Sequence, residues 1–197
     1  MIRFNTNNQP KYKRSMIFVS NLIRKIFRGD RLKRITKTLL EISKQISLEE
    51  KKRIVILDFG CGSMEISKRL QNNFHVYKIV GTDTFDANFK TNKLEYISSK
   101  KFKNYNKKFD LVIIVDVLHH IGVDNAYKVL KSLSKLSKNI LVKDHFEHGF
   151  FSRQLLRFVD FYANYAYDVN IPKKYYDYNS WKKTIKKSYL KEVKIIN

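Results

Sequence analysis

The sequence predicts a doubly wound α/β fold, a mostly parallel sheet with helices on both faces, and three observations support this prediction. Apolar segments alternate with helical segments from residue 53 onward. Those segments are apolar without alternation, which is typical of parallel strands covered by helices on both sides. Several of them end in aspartate, at the sheet edge where ligands of such folds bind. The aspartates are Asp58, Asp83, Asp116 and Asp144.

The expected elements follow the apolar runs and the turn residues in chain order. Strands are predicted at 53–58, 76–82, 94–97, 109–115, 139–143 and, at the end of the chain, 190–196. Helices are predicted at 64–70 with Ser63 as N-cap, at 124–136, at 151–166, and from Trp181 with Asn179 or Ser180 as N-cap.

The first fifty residues are predicted to form a basic helical extension, followed by the α/β domain at 51–197. Two helices are expected, at 12–27 and 31–46, because Gly29-Asp30 has the character of a stop and a new start. Cations border the apolar stripe of residues 12–28, so this segment could lie on an anionic membrane. The alternative is that both helices simply cover the sheet or the mouth of the site.

The composition is strongly basic. The 197 residues include 40 Lys+Arg and 18 Asp+Glu, a net charge of +22. Such a surplus favours an anionic partner, whether nucleic acid, membrane surface or substrate, although AT-rich codon usage also produces lysine-rich proteins. No secretory signal or membrane-spanning run is recognisable, which predicts a cytoplasmic protein, peripheral at a membrane if the basic helix binds lipid. Cys61 is the single cysteine, which excludes an intrachain disulfide framework.

A glycine loop connects the first strand to the next helix and indicates a nucleoside ligand. Gly60 and Gly62 permit a tight turn and a close approach of the ligand to the backbone. Asp83 follows one βαβ step later, where an acid accepts hydrogen bonds from ribose hydroxyls. A dinucleotide site would need a third small residue where Glu65 stands, which disfavours NAD and FAD.

The segments LDFGCGSMEIS (57–67), IVGTD (79–83), FDLVIIVDVLHHI (109–121) and NILVKDH (139–145) resemble the motifs of class I S-adenosylmethionine-dependent methyltransferases. The resemblance is to their small-molecule and lipid branch, similar to methyltransferase type 11, and implies a Rossmann-like fold with S-adenosyl-L-methionine as cofactor. The sequence departs from the family pattern at Met64, which replaces a glycine, and at Ser98, which replaces an acid near the adenine.

The resemblance also implies which residues hold the cofactor. The methionine end would lie against the glycine-loop segment, the ribose and adenine against the end of the second strand, and the sulfonium against the end of the fourth. In that order the implied residues are Asp58, Phe59, Gly60, Cys61 and Gly62; Asp83 and Thr84; and Asp116 and Val117.

Candidate catalytic residues follow the fourth and fifth strands, where they would face the crevice. They are His119, His120, Asp144 and His145, any of which could accept a proton from the methyl acceptor. His145 and His148 could share a metal ion, but a third ligand is not evident, so no metal is predicted.

The methyl acceptor is expected to be a small or lipid-like molecule. Residues 146–181 are rich in aromatic side chains and would form a substrate or lid segment, a wall suited to an apolar or planar acceptor. One alternative is an RNA or other nucleic-acid methyltransferase that uses the basic surface. Another is a catalytically silent, methyltransferase-like binding module.

Overall fold

The computed structural model describes residues 11–84, 90–164 and 172–192, without the side chains of residues 11–29, 163 and 164. In chain order the elements are α1 (Lys11–Glu49), β1 (Ile54–Phe59), α2 (Glu65–Leu70), β2 (Val76–Asp83), β3 (Leu94–Ser98), α3 (Ser99–Phe102), β4 (Leu111–Val115), α4 (Leu118–Ile121), α5 (Ala126–Ser134), β5 (Ile140–Lys143), α6 (Phe150–Asn164) and α7 (Tyr178–Lys187). The short helices α3 and α4 were not predicted.

The strands form one sheet in the order β3-β2-β1-β4-β5, and every pairing is parallel. The chain winds outward from β1 through β2 to β3 and then returns to place β4 on the other side of β1. In such a sheet the ligand crevice opens at this reversal, beyond the carboxyl ends of β1 and β4. The predicted doubly wound fold is confirmed.

Helices cover both faces of the sheet because successive strand residues point to opposite sides. On one face, Ile54 and Ile56 of β1 pack with Leu39 and Ile46 of α1. On the other face, the core includes Leu57 together with residues of α5 and α7. The C-terminal part of α1 therefore contributes directly to the core of the sheet.

The prediction of two N-terminal helices separated at Gly29-Asp30 is wrong. The backbone is helical without interruption from Lys11 to Glu49. A glycine inside a helix costs only about 1 kcal/mol relative to alanine, which the packing of the flanking turns can offset. The side chains of the proposed membrane-binding segment, residues 12–28, lie outside the described residues.

Two predicted helix starts are also wrong. Met64, not Ser63, occupies the N-cap of α2, because the Ser63 hydroxyl bonds to the Glu65 carboxylate at 3.3 Å. Helix α7 begins at Tyr178, three residues early, because Asp177 and Ser180 form a reciprocal capping box.

The predicted final strand lies mostly outside the described residues. Residues 190–192 are not in a strand, and residues 193–197 are not described. In the part of the chain that the structure describes, no helix is both long and apolar enough to cross a membrane.

Candidate functional site

The glycine loop begins at the end of β1, inside the crevice. Gly60 has φ +76°, and its N–H donates to the Thr82 carbonyl at 2.8 Å, which joins the loop to β2. A Cβ at Gly60 would lie 2.3 Å from Cγ2 of Val117, just past β4. The position therefore requires glycine both for its left-handed backbone and for the close approach of the two segments.

Gly62 connects the loop to the predicted ribose acid. Its N–H donates to Oδ2 of Asp83 at 2.7 Å, and the hydroxyl of Thr84 donates to Oδ1 at 3.2 Å. The Tyr96 hydroxyl donates to the Asp83 backbone carbonyl at 3.1 Å. Asp83 thus organises the loop and stands beside it, as the sequence predicted. A Cβ at Gly62 would meet no described atom within 4 Å, so space is open in front of this residue.

Met64 occupies the position where the family has a third glycine, and its backbone is left-handed with φ +58°. That conformation normally costs a residue with a side chain about 1–2 kcal/mol. The Met64 side chain is fully buried in the core beneath the loop and lies against Gly81. Burial of the side chain offsets the backbone strain, so Met64 is accommodated in a left-handed conformation that favours glycine.

Asp58 is buried near the end of β1, and Cys61 is half-buried in the loop that follows. The Ser67 hydroxyl donates to Oδ2 of Asp58 at 2.5 Å, which ties β1 to α2. Burial raises the pKa of Asp58 to about 6, although the Ser67 hydrogen bond opposes the shift. Burial also raises the pKa of the Cys61 thiol, and the charge of Asp58 adds to the effect. Cys61 is therefore a neutral thiol and not a nucleophile.

A charged cluster surrounds Asp116, the residue that follows β4. Its carboxylate pairs with Arg31 of α1, accepts a hydrogen bond from Lys143 Nζ at 2.5 Å, and lies 3.4 Å from Nε2 of His145. Asp116 has φ +56°, a left-handed conformation that aspartate tolerates better than most residues. The resemblance placed Asp116 beside the sulfonium, and the structure adds two cations to that region.

The cluster changes the proton affinity of its members. Burial lowers the pKa of Lys143, and the nearby charge of Arg31 adds to the effect, so that the pKa is about 8. Burial and the charge of Lys143 lower the pKa of His145 to about 3. His145 is therefore a neutral imidazole at neutral pH.

His119 and Asp144 form a buried pair behind this cluster. Nδ1 of His119 contacts Oδ1 of Asp144, and the His119 backbone N–H donates to Oδ2 at 3.2 Å. Burial acts to raise the pKa of Asp144, but the hydrogen bonds from His119 and the His145 backbone, together with the nearby charge of His119, outweigh it in sum and the pKa is lowered. On its other side, Nε2 of His119 lies 3.5 Å from Oδ2 of Asp160 in α6.

All four predicted catalytic residues lie close together around His119. The ring centroids of His119 and His120 are 3.9 Å apart, and those of His119 and His145 are 5.3 Å apart. Only His120 and His145 retain appreciable exposure, since the side chains of His119 and Asp144 are buried.

Sequence reasoning missed three contributors to the site. Arg31 comes from the N-terminal helix, Asp160 from the aromatic segment and Tyr175 from the loop before α7. Nothing in the local sequence around Arg31 or Asp160 indicates a site. Tyr175 lay in the predicted aromatic segment, but its hydrogen bond to Asp160 could not be read from spacing.

A cavity of about 540 Å³ borders His119 and Tyr175 on the side of α5 and α7. Its volume is within the range typical of small-molecule sites. Most of its charged lining residues are cations, namely Arg153, Lys173, Lys174, Lys183 and Lys187, against Asp124, Glu147 and Asp177.

The residues at the glycine loop fit S-adenosylmethionine. The open space before Gly62 leaves room for a ligand against the backbone, and Asp83 presents a carboxylate at the adjacent strand end. Gly60, Gly62 and Asp83 would hold the cofactor, with Val117 and Asp116 across the crevice.

Comparisons with known proteins show the family of the chain. The sequence model of a methyltransferase domain family matches residues 27–183. Among curated protein sequences, none matches the chain significantly. The fold is similar to that of the plantazolicin methyltransferase BpumL in complex with SAH, with a TM-score of 0.51 and 14% identity over 89% of this chain and 76% of that chain.

Two further solved structures are similar. One is the methyltransferase in complex with the Haloferax volcanii Trm112 methyltransferase activator, with a TM-score of 0.50 and 11% identity over 70% of this chain and 60% of that chain. The other is WbdD, with a TM-score of 0.47 and 20% identity over 63% of this chain. The match spans only 31% of the WbdD chain. Because the domain match covers most of the sequence and the sheet has the corresponding topology, this chain belongs to the class I S-adenosylmethionine-dependent methyltransferases and uses S-adenosylmethionine as its cofactor.

Proposed function

We propose that this enzyme methylates a small acceptor that carries an anionic group and an ionisable hydroxyl or amine. The observation that supports the proposal most strongly is the cluster of Asp116, Lys143 and His145 at the carboxyl ends of β4 and β5. Val117, the residue after Asp116, lies against Gly60, so the cluster is next to the glycine loop. The bound cofactor supplies an electrophilic methyl group on its sulfonium.

The cations of the cluster favour a negatively charged acceptor. Arg31 and Lys143 together carry more positive charge than Asp116 neutralises, and Lys143 is about two-thirds buried. An anionic acceptor would therefore gain from a charge-assisted contact in a partly desolvated place. The cation-rich cavity beside His119 supports the same chemical class.

His145 is the group that we propose to take the acceptor proton. It is neutral at neutral pH, it is partly exposed, and Asp116 lies 3.4 Å away to stabilise the imidazolium that forms. Its pKa of about 3 makes it a weak base, because burial disfavours the imidazolium and the charges of Lys143 and Arg31 also repel a proton. An anionic acceptor paired with those cations would weaken that repulsion and raise the pKa of His145 toward the ordinary range. Acceptor charge and proton removal would thus be coupled.

The cofactor step is tested by calorimetry with the demethylated cofactor product. Asp83→Ala removes both the ribose acceptor and the acceptor of the Gly62 N–H, so we expect affinity to fall at least tenfold. Asp30→Ala changes an acid whose side chain is 95% exposed and serves as the matched control. Wild-type protein that binds neither cofactor nor product at millimolar concentration would refute the cofactor site.

The acceptor step is tested with a radiolabelled methyl group on the cofactor. The protein is incubated with separated cellular fractions, namely small anionic metabolites, lipids and RNA. Label in the small anionic fraction is expected, and label mainly in RNA would favour the nucleic-acid alternative and contradict the proposal.

His145→Gln should reduce kcat by about a hundredfold or more, since general base catalysis contributes on that scale. His148→Gln, an exposed histidine three residues later, should leave kcat unchanged. The apparent pKa in kcat should exceed that in kcat/KM, because kcat reports the enzyme with acceptor bound. Equal values in the two profiles would contradict the coupling.

A lipid-like acceptor is the second candidate, and α6 supports it. This helix exposes four large apolar side chains to solvent, those of Phe150, Phe151, Leu155 and Phe158. We propose that this face docks on an anionic membrane, since the strongly basic chain complements its charge.

A further inference from the structure

His119 presents a buried nitrogen that lacks a hydrogen-bond partner in the described part of the chain. The residue is 1% exposed, and its Nε2 is in contact with no solvent. Asp144 holds the opposite ring nitrogen, Nδ1. Because Asp144 is an ionised acceptor, Nδ1 must carry the proton, and Nε2 of a neutral ring then presents a lone pair.

That lone pair faces another acceptor. Oδ2 of Asp160 lies 3.5 Å from Nε2 and accepts a hydrogen bond from the Tyr175 hydroxyl at 2.5 Å. Two electron-rich atoms held at this distance in a buried place repel each other and lose hydration. The arrangement is stable when a positive charge lies between them, either a proton on Nε2 or a metal ion.

His120 adds a second imidazole to the same place. One ligand atom from each of His119, His120 and Asp160 can be chosen so that all three lie within 4.8 Å of one another. Two imidazoles and one carboxylate form a ligand set that suits first-row divalent ions, with zinc the best match for three protein ligands and an open position. A ligating histidine also needs a partner on its other nitrogen, and Asp144 already supplies that contact to His119.

We propose that His119, His120 and Asp160 form a binding site for a divalent transition metal ion, with zinc as the preferred occupant. The ion would replace the unfavourable contact between Nε2 and Oδ2 by two attractive ones. It would also join α4, which carries both histidines, to α6, which carries Asp160. Helix α6 would then be fixed over the carboxyl end of β5 beside the cavity that His119 lines.

The sequence did not predict this site. The histidine pair considered for a metal was His145 with His148, whereas the structure groups His119 with its neighbour. Asp160 lies about forty residues after the histidines and in a different helix, so the spacing of ligands along the sequence does not reveal it. The proposal is independent of the methyl acceptor, because it requires only the three side chains.

The experiment uses the full chain, purified without chelator and then stripped of metal. Metal content is measured by elemental analysis, and zinc affinity by competition with a chromophoric chelator. We expect one equivalent of zinc per chain with a dissociation constant below the micromolar range. Cobalt substituted for zinc should give the visible absorption of a low-symmetry site with nitrogen and oxygen ligands.

Two variants locate the ion. Asp160→Asn keeps an acceptor for Tyr175 but removes the charge, and His120→Gln removes the second imidazole; each should weaken zinc binding at least a hundredfold. His148→Gln is the control, since that histidine is exposed and outside the group. Binding of the cofactor product by each variant reports that the fold is intact, and its presence or absence in wild type tests the proposed function separately.

Wild-type protein without stoichiometric zinc binding would overturn the proposal. Equal zinc affinity in Asp160→Asn, His120→Gln and wild type would also overturn it, because the ion would then lie elsewhere. If His120→Gln does not fold, Asp160→Asn alone decides between these results.

Discussion

Substitution of Gly60 by alanine tests the contact that brings the glycine loop against the end of β4. The new Cβ would lie 2.3 Å from Cγ2 and 3.0 Å from Cγ1 of Val117, where carbon atoms ordinarily approach to about 3.5–4.0 Å. The φ of +76° adds about 1–2 kcal/mol for a residue with a side chain. Overpacking of this kind costs a further 1–3 kcal/mol or so. We therefore expect Gly60→Ala to lower the free energy of unfolding by about 2–5 kcal/mol.

A second substitution separates the two contributions. Val117→Ala removes the two methyl groups that the new Cβ would meet, at a cost of about 1–2 kcal/mol for a half-buried valine. In the double variant the two closest overlaps disappear, and the backbone strain, the lost valine methyl groups and a remaining contact of 3.2 Å with Cβ of residue 117 are left. The double variant should accordingly be about 1–3 kcal/mol more stable than the sum of the single effects predicts.

Urea unfolding of the four proteins measures this coupling, and calorimetry with the cofactor product measures its effect on the site. Gly60→Ala should also weaken product binding, because the loop that we predict to hold the cofactor must shift. Single effects that add within about 0.5 kcal/mol would show that Gly60 and Val117 do not press on each other, and would refute the reasoning.

Three further changes test other parts of the structure. Because burial raises the pKa of Asp58 from 3.8 to about 6, the contribution of Asp58 to stability should be highest below pH 4, fall as the pH rises to about 6, and then stay constant, which the difference between wild type and Asp58→Asn isolates. Asp58→Asn keeps an acceptor for Ser67 and should raise the free energy of unfolding at pH 7 by about 1–3 kcal/mol, and an unchanged pH profile would contradict this. Met64→Gly relieves about 1 kcal/mol of backbone strain but removes a buried side chain, which costs about 2–5 kcal/mol. Urea unfolding should therefore show a lower free energy of unfolding, and a higher one would contradict the role assigned to Met64. Phe151→Glu should reduce co-sedimentation with anionic vesicles. Leu48→Glu, which changes an exposed apolar residue outside α6, should leave it unchanged, and an equal loss in both variants would argue against α6 as the docking face.

The five strands of the sheet and the glycine loop were predicted correctly from the sequence because their signals are local, whereas the predicted strand at 190–196 is not confirmed. β1, β2, β4 and β5 are apolar runs that end in or beside an aspartate, and a run that is apolar on both faces is buried on both faces. The loop was recognisable because Gly60 and Gly62 stand between a strand and a helix. Its acid, Asp83, follows at the interval that one βαβ unit requires.

Local signals failed where longer-range packing opposed them. Gly29-Asp30 predicts a break, yet α1 continues through it, since the packing of its C-terminal part on the sheet exceeds the small cost of one glycine. Met64 was judged a departure from the family loop, but its buried side chain allows it the glycine-like backbone.

The sequence by itself predicted the fold class and the cofactor, and it located the glycine loop between the first strand and the following helix. Only the tertiary structure showed that Arg31 pairs with Asp116 and that Asp160 faces His119. Each of these contacts joins residues tens of positions apart on different elements, with no periodicity to connect them. Their proximity depends on how α1 and α6 pack across the ends of the strands, which the order of residues along the chain does not reveal.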